Sequence, residues 1–194
     1  MKNKFHHVKA DSSLQKSDIF ILMETWLEDI QTDTEYEILG FKSNLNSIGR
    51  GKGIASYYKH ENKHLTNVNC EGFSMSKLEC PQSDVIGIYR SQEGNVTDLI
   101  LQLEALISKG RTTVIGGDMN ICALGHPKNY ISESLREMGF SQIVKNATHI
   151  EGGMIDHVYI KQGEITEVSY IIEEFPKYYS DHDGVGIILW EEEP

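Results

Sequence analysis

Short apolar runs rich in Val, Ile, Tyr and Phe recur along the whole chain, and they constrain its fold more than any other feature. Gly, Asn or Asp flanks most of them, which is typical of strands that end in turns. The runs lie at residues 19–23, 53–58, 65–68, 73–78, 85–89, 112–115, 154–160, 167–172 and 185–190. A chain with so many short strands must bury their apolar faces in packed sheets.

Helical patterns are fewer than strand patterns. Residues 95–109 predict a helix that begins after the N-cap Asn95 and ends before Gly110, with apolar residues along one face. A second helix is predicted over residues 129–138, and a weaker third over residues 3–15. Many strands with a few interspersed helices predict an α/β fold in which helices cover the sheets.

The negative net charge of the chain limits how it could bind a nucleic acid. Its 194 residues carry 29 Asp and Glu against 18 Lys and Arg, a net charge of −11. This charge disfavours the wide basic surface of non-specific nucleic-acid binding, but it leaves room for a small basic cleft. Arg50-Gly51-Lys52-Gly53 lacks the spacing of a phosphate-binding loop. We therefore expect a hairpin turn there, with Arg50 and Lys52 near the cleft.

The chain has no feature that divides it or directs it to a membrane. Without a repeat, a linker or a break in composition, we expect one domain over residues 1–194. The longest apolar run, residues 19–23, is too short to cross a bilayer, and the basic start is not followed by the apolar segment of a signal peptide. Cys70, Cys80 and Cys122 form no Cys-x-x-Cys pair. A soluble protein in a reducing, intracellular compartment is expected.

Polar side chains cluster at the ends of the predicted strands, apart from Asp156, which lies inside the run at residues 154–160. They are Glu24, Asp118, Asn120, Asp156, Asp181 and His182. Any one of them could be an ordinary turn residue. Several carboxylates with an Asn and a His at separate strand ends, however, are the layout of a hard-cation site, because Mg²⁺ prefers oxygen ligands. A thiol-bound zinc site is disfavoured, since Cys70 and Cys80 are too far apart in the sequence.

Short motifs containing these residues occur in a familiar order. They are Glu24-Thr25-Trp26-Leu27, Tyr89-Arg90, Gly117-Asp118-Met119-Asn120, Thr148 with Ile155-Asp156-His157, and Ser180-Asp181-His182. With this order and spacing, residues 3–190 resemble the endonuclease/exonuclease/phosphatase family, nearest its apurinic-type and non-LTR retroelement endonuclease branch. The resemblance implies a four-layer α/β sandwich of two packed β-sheets with outer helices.

The resemblance also implies how these residues would act on a phosphate ester. Glu24 would bind Mg²⁺, or Mn²⁺ in its place, and Asp181 would assist with the metal or the water. Asp118 would orient and deprotonate the attacking water, while Asn120 would fix the water or the phosphate. The metal would neutralise charge on the phosphate and on the leaving oxygen.

Further motif residues would act on the phosphoryl oxygens. His182 would donate to them while Asp156 holds its other ring nitrogen, a contact that should raise the imidazole pKa. The hydroxyl of Tyr89 would donate to the phosphate as charge builds up. Tyr89 and Thr148 could equally be structural residues, a strand-end aromatic and a turn residue.

One part of the family pattern is missing. Family members carry an Asn on a first strand, whereas this chain opens at Lys2-Asn3-Lys4-Phe5, which looks like the helix that follows that strand. The role of that Asn is not transferred to Asn3. We expect an N-terminally truncated copy that lacks the first strand.

Together these features predict a Mg²⁺-dependent phosphodiesterase that cleaves DNA, an endonuclease of the retroelement or apurinic type. DNA is the expected partner, and a retroelement-type enzyme would act in the nucleus. Two alternatives stay open at this point. One is a phosphoesterase acting on a phospholipid or phosphoinositide, and the other is a catalytically impaired remnant of the same fold.

Overall fold

A computed structural model describes residues 4–25, 33–47, 53–59, 64–125, 129–164 and 167–191. The α-helices are α1 (Phe5–Ala10), α2 (Ser12–Lys16), α3 (Val96–Leu106) and α4 (Tyr130–Glu137). The strands are β1 (Ile19–Met23), β2 (Lys42–Ser47), β3 (Gly53–Tyr58), β4 (His64–Cys70), β5 (Phe73–Glu79), β6 (Ser83–Arg90), β7 (Thr112–Asp118), β8 (Ser141–Gln142), β9 (Asp156–Lys161), β10 (Val168–Phe175) and β11 (Gly184–Glu191). A short 3-10 turn spans Asp33–Tyr36.

The strands form one large sheet and two smaller ones. The large sheet has six strands in the order β4-β5-β6-β7-β9-β8, and the smaller sheets are β1-β3-β2 and β10-β11. Neighbouring strands run antiparallel, except for the parallel pair β6 and β7. These two strands are parallel because α3 returns the chain to the same end of the sheet before β7 begins.

Helices cover one face of the large sheet. The buried core on this face joins side chains of β5, β6, β7 and β9 to α3 and α4. It contains Phe73, Met75, Ile86, Ile88, Ile115 and Tyr159 from the strands and Leu99, Ile100, Leu103, Ile131 and Leu135 from the helices. Alternation along each strand therefore sends every second side chain of β6 and β7 to the opposite face.

The two smaller sheets cover that opposite face. A Cβ at Gly87 of β6 would come within 2.9 Å of the Ile21 side chain of β1, so only glycine allows this approach. The β10-β11 sheet packs through Ile172, Val185, Ile187 and Leu189 against a buried cluster that contains Val114 of β7. On the outer side of the β1-β3-β2 sheet, Phe5 of α1 joins a third buried core. The resulting layers confirm the predicted sandwich of two packed sheets with outer helices.

Each predicted apolar run lies in or overlaps a strand, but two helix predictions need correction. The helix expected over residues 3–15 is divided into α1 and α2, because Asp11 is extended and its side chain caps α2. The helix expected to reach residue 109 ends at Leu106, since Ile107 is extended. The N-cap role predicted for Asn95 is confirmed: its side chain accepts the N–H groups of the first turn.

The strand β2 was not predicted, because its sequence Lys-Ser-Asn-Leu-Asn-Ser has little apolar content. Two of its asparagines nevertheless point to the large sheet. Asn44 and Asn67 exchange side-chain hydrogen bonds of 2.9 and 3.1 Å, and Asn46 and Asn69 exchange bonds of 2.9 and 2.8 Å. The antiparallel pairing of β2 with β3 fits the expected hairpin. Arg50 and Lys52 lie outside the described residues.

The strand that the resemblance places before Lys2 would precede the residues that the structure describes. The expected lack of this strand therefore stays a prediction, as does the single domain over residues 1–194. Among the described residues, none of the helices is long and apolar enough to cross a membrane.

Asp11 links α2 to the segment that leads into His182. Besides capping α2, its carboxylate accepts the hydroxyl of Tyr179 at 2.6 Å and a hydrogen bond from the Lys177 ammonium. Burial would raise the pKa of Asp11, but these bonds outweigh it and hold the pKa well below its usual range. The ionised Asp11 therefore fastens the loop before His182 to the helical layer.

A cluster of ion pairs lies at the start of β6, whereas Tyr89 lies near the other end of this strand. Asp84, whose side chain is fully buried, lies 2.8 Å from Arg111 Nε and 3.0 Å from Lys77 Nζ. Burial alone would raise the pKa of Asp84. Hydrogen bonds from Ser108, Arg111 and Lys77 outweigh that effect and lower the pKa.

We expect Asp84→Asn to lower the free energy of unfolding by about 3–5 kcal/mol near neutral pH, because it breaks a buried ion pair. The folded-state pKa of Asp84 is lower than the unfolded-state value. The stabilisation is therefore complete above the unfolded-state pKa and is lost as the pH falls through the folded-state pKa. Urea unfolding of both proteins at neutral and acidic pH measures the difference, which should shrink in acid. Equal stability at neutral pH would contradict this account.

Candidate active site

One row of paired residues in the large sheet is polar from β4 to β9, and we call it the polar rung. The pairing register places Asn69, Ser74, Tyr89, Asp118 and Asp156 directly beside one another in that order. Directly paired residues point to the same face of a sheet. These side chains therefore face the smaller sheets, at the end where β6 and β7 stop.

Two carboxylates stand opposite each other in the polar rung. Asp118 of β7 pairs with Asp156 of β9, and like charges directly opposite are unfavourable. Burial first, and then the charge of Asp156, raises the pKa of Asp118 to about 6. Asn120 opposes this shift: its backbone N–H and its Nδ2 donate to the two carboxylate oxygens of Asp118 at 2.9 and 3.1 Å. A carboxylate with such a pKa is ionised at neutral pH and is unusually basic.

The contact expected between Asp156 and His182 is present. His182 Nδ1 lies 2.8 Å from Asp156 Oδ2. This hydrogen bond raises the pKa of His182 to about 9 against the opposing effect of burial. The imidazole is therefore protonated at neutral pH. Its Nδ1–H is directed to Asp156, and its Nε2–H is left as a second donor.

Thr148 connects the strand that carries Asp156 to the loop that carries His182. Its buried hydroxyl accepts the backbone N–H of Asp156 at 3.1 Å. Its carbonyl oxygen accepts the N–H of Asp183, the residue after His182, at 2.8 Å. Thr148 thereby fixes the start of β9 and the loop before β11 relative to each other, a positioning role within the motif.

The polar rung keeps Tyr89 in its protonated form. Burial first, and then the charges of Glu24 and Asp118, raises the pKa of Tyr89 to about 12. The phenol is therefore a hydrogen-bond donor at neutral pH. The same electrostatic effects link Glu24, which follows β1, to the carboxylates of the large sheet.

Two of the predicted site residues adopt left-handed backbone conformations. Glu24 has φ 50° and Asn120 has φ 49°. For a residue with a side chain, this conformation costs about 1–2 kcal/mol, and such outliers cluster at functional sites. Both residues lie directly after strands, so the backbone turns sharply where each side chain meets the site.

Asp181 is more exposed than Asp118 and Asp156. Its side chain is 67% exposed, and its Oδ2 is 3.8 Å from His149 Nε2. The ring of His149 stands edge-on to that of His182, with centroids 4.9 Å apart. Sequence reasoning gave no role to His149, although the residue directly follows Thr148 of the motif.

The charges and the unpaired hydroxyls of the site fit a hard cation. The carboxylates of Asp118, Asp156 and Glu24 act on one another, so the site has excess negative charge. Two buried hydroxyls, Thr25 Oγ1 and Ser74 Oγ, have no hydrogen-bond partner within the part of the chain that the structure describes. In the same residues, no three His, Cys, Asp or Glu side chains meet around one point. The oxygen donors of this site are of the kind that hard cations prefer.

The sequence matches one protein-family model. Residues 5–182 match the model described as "Endonuclease/Exonuclease/phosphatase family". No curated protein sequence matches the chain at a significant level.

Several solved structures share the fold at low sequence identity. An AP endonuclease from Archaeoglobus fulgidus has a TM-score of 0.73 and 16% identity, over 98% of this chain and 95% of that one. The endonuclease domain of TRAS1, a telomere-specific non-LTR retrotransposon, has a TM-score of 0.61 and 12% identity, over 97% and 91%. The 3' phosphatase NExo from Neisseria, bound to a product DNA hairpin, has a TM-score of 0.71 and 12% identity, over 98% and 94%.

The left-handed backbone at position 24 leads to a stability prediction. Glu24→Gly should be more stable than Glu24→Ala by about 1 kcal/mol, because glycine alone adopts this φ without strain. Both variants remove the carboxylate, so the comparison isolates the backbone. Chemical unfolding measures the difference. A Gly variant that is no more stable than the Ala variant would mean that residue 24 carries no strain.

Proposed function

The chain belongs to the endonuclease/exonuclease/phosphatase family, whose members hydrolyse phosphoester bonds, and we propose on that premise that it is a Mg²⁺-dependent phosphodiesterase that cleaves DNA. The observation that carries the proposal is the partly buried row of Asp118, Asp156 and His182. It combines a basic carboxylate with a protonated imidazole at one end of the sandwich. Proton removal and charge stabilisation at a phosphate need this combination.

Glu24 and Asp181 are the proposed ligands of Mg²⁺, or of Mn²⁺ in its place. When bound, the cation would neutralise negative charge on a non-bridging phosphate oxygen and on the leaving oxygen. The excess of carboxylates supports this assignment, since Glu24 already raises the pKa of Asp118. The exposure of Asp181 leaves this ligand open to water and substrate.

Asp118 is the proposed base. Its carboxylate takes a proton from the attacking water as the new P–O bond forms and the P–O bond to the leaving oxygen breaks. A pKa of about 6 suits this task, because the group is ionised at neutral pH and is still basic enough to accept a proton. Asn120 orients the carboxylate through its two hydrogen bonds.

His182 and Tyr89 are the proposed donors to the phosphoryl oxygens. The imidazolium of His182 keeps Nδ1–H on Asp156 and directs Nε2–H to the substrate. The phenol of Tyr89 adds a neutral donor on the adjacent strand. Donors held in place before the reaction stabilise the charge that develops on these oxygens.

DNA is the substrate that the structural relatives favour. Among them are an AP endonuclease, a retrotransposon endonuclease and a phosphatase bound to a DNA hairpin. These relatives support an endonuclease of the apurinic or retroelement type. The net charge of −11 implies that DNA is held by local contacts rather than by a wide basic surface. Cys70, Cys80 and Cys122 form no disulfide with one another, which agrees with the proposed intracellular location, nuclear for a retroelement-type enzyme.

We expect Glu24→Gln and Asp118→Asn each to lower Mg²⁺-dependent nicking of a plasmid by about a hundredfold or more, because each removes a metal ligand or a base. EDTA should abolish nicking by the wild-type protein. Glu104→Gln, on the exposed side of α3, is the matched control and should keep full activity. Activity within about threefold of wild type in either site variant would remove that residue from the mechanism.

Asp156 and His182 should act as a unit. Because Asp156 holds the imidazole through one hydrogen bond, Asp156→Ala, His182→Ala and the double variant should show similar losses in nicking rate. Multiplicative losses would mean that the two groups act separately. Circular dichroism of each variant controls for folding.

Two rival functions are outcomes of the same experiment. Phospholipid or phosphoinositide vesicles, incubated beside the plasmid, detect a lipid phosphoesterase. Vesicle hydrolysis without DNA nicking would replace DNA with a lipid substrate. A folded protein that cleaves neither would be the catalytically impaired remnant.

A further inference from the structure

The turn after β7 is held from both sides by buried side chains for which the proposed mechanism has no role. Asn120 stands at the centre of this turn, with φ 49°. Both of its bonds to Asp118 depend on that conformation, since one is made by its backbone N–H and the other by its side chain. What fixes this backbone therefore also fixes the proposed base.

Arg90, at the end of β6, contacts the turn twice. Its carbonyl oxygen accepts a hydrogen bond from Asn120 Nδ2 at 2.8 Å. Its Nη1 donates a hydrogen bond to the carbonyl oxygen of Met119 at 2.9 Å. The carbonyl group of Met119 belongs to the peptide plane that joins Met119 to Asn120. Rotation of this plane about the N–Cα bond of Asn120 changes the φ angle of Asn120. The bond from Arg90 therefore opposes rotation of Asn120 out of its left-handed conformation.

The guanidinium of Arg90 bonds to backbone rather than to carboxylate. Nε donates to the carbonyl oxygen of Gly94 at 2.9 Å and Nη2 to that of Gln92 at 3.1 Å, and the residue is only 6% exposed. Arg90 thus ties the loop after β6 to the turn after β7. A planar group with several fixed donors can hold this set of carbonyls, whereas an ammonium cannot.

His157 holds the turn from the other side. Its ring is fully buried, and Nε2 lies 2.8 Å from the carbonyl oxygen of Ile121. Burial lowers the pKa of His157, so the ring is neutral. A carbonyl can only accept, so Nε2 carries the proton and Nδ1 accepts the hydroxyl of Tyr159 at 2.9 Å. Ser132 of α4 completes this chain, at 2.8 Å from the Tyr159 hydroxyl.

We propose that Arg90 and His157 form a carbonyl clamp on Met119 and Ile121 that holds Asn120 in position over Asp118. Both are positioning residues: they act through Asn120 and do not touch the substrate. The assignment of a catalytic effect rests on the proposed function, but the assignment of the clamp rests on contacts within the chain.

Arg90→Lys and His157→Phe test the clamp in plasmid nicking. Lysine keeps the charge but cannot hold the carbonyls together, and phenylalanine keeps the ring but loses the N–H. Each variant should lower kcat by about tenfold or more and leave KM for DNA within about threefold. In an Asn120→Ala background, neither change should lower kcat further by more than about twofold, because the residue they position is gone.

Arg111→Lys is the matched control. Arg111 also links β6 and β7, through a partly buried contact with Asp84, but at the opposite end of these strands. Its replacement should lower the melting temperature and leave kcat within about twofold of wild type. An equal loss of kcat in Arg111→Lys would show that the effect of Arg90 is only structural, and would overturn the proposal.

Hydrogen exchange provides a readout that does not need activity. In the metal-free wild-type protein, the Asn120 side-chain amide and the Met119 and Asn120 backbone amides should exchange slowly by NMR. Either folded clamp variant should speed their exchange by about tenfold or more. Unchanged exchange in both folded variants would overturn the clamp. If the wild-type protein cleaves no DNA, the proposed function is wrong, but hydrogen exchange still tests whether Arg90 and His157 hold Asn120 in position.

Discussion

The site is organised around two carboxylates that the pairing of β7 with β9 holds directly opposite each other. Asp118 and Asp156 cannot move apart without a change in the register of the large sheet. The protein offsets their repulsion in two visible ways. Asn120 donates two hydrogen bonds to Asp118, and His182 brings a positive charge to Asp156. Glu24 adds further negative charge, which a bound cation would neutralise.

The rest of the sandwich keeps this arrangement in place. The helical layer reaches the site through α4, Tyr159 and His157, and it reaches the loop before His182 through Asp11. The β1-β3-β2 sheet brings Glu24 to the same end of the large sheet, because Gly87 lets β1 lie close to β6. Strain at position 24 and the unpaired hydroxyls of Thr25 and Ser74 are concentrated here. A site built for binding and chemistry rather than for stability has these features.

Much of this fold could be predicted from the sequence, because apolar strands and capped helices leave strong local patterns. The contact between Asp156 and His182 could also be predicted, but only through the resemblance to the family, because each residue alone could be an ordinary turn residue. The strand β2 could not, because Asn44 and Asn46 face the large sheet and pair with asparagines of β4. Polar side chains on the inner face of β2 leave no apolar pattern in that strand, whereas β4 keeps its apolar run at residues 65–68.

The contacts that position the site residues could not be predicted from the sequence either. Arg90 and His157 stand in the motifs, but only the register of the strands brings them to the carbonyls on either side of Asn120. The left-handed conformations of Glu24 and Asn120 occur at residues with side chains, where no glycine signals them. His149 joins the site through a bridge to His182 that depends on the folding of two distant loops.

The melting temperature as a function of MgCl₂ tests most directly whether this carboxylate cluster is a cation site. Binding to the folded state alone stabilises it by about 2.7 kcal/mol when the cation is at a hundred times its Kd. In a chain of this size, such a gain raises the melting temperature by several degrees, at about 2–4 °C per kcal/mol. The wild-type protein should show this rise over a NaCl control of equal ionic strength, and Glu24→Gln should not. A melting temperature that Mg²⁺ leaves unchanged, or raises equally in both proteins, would contradict the account.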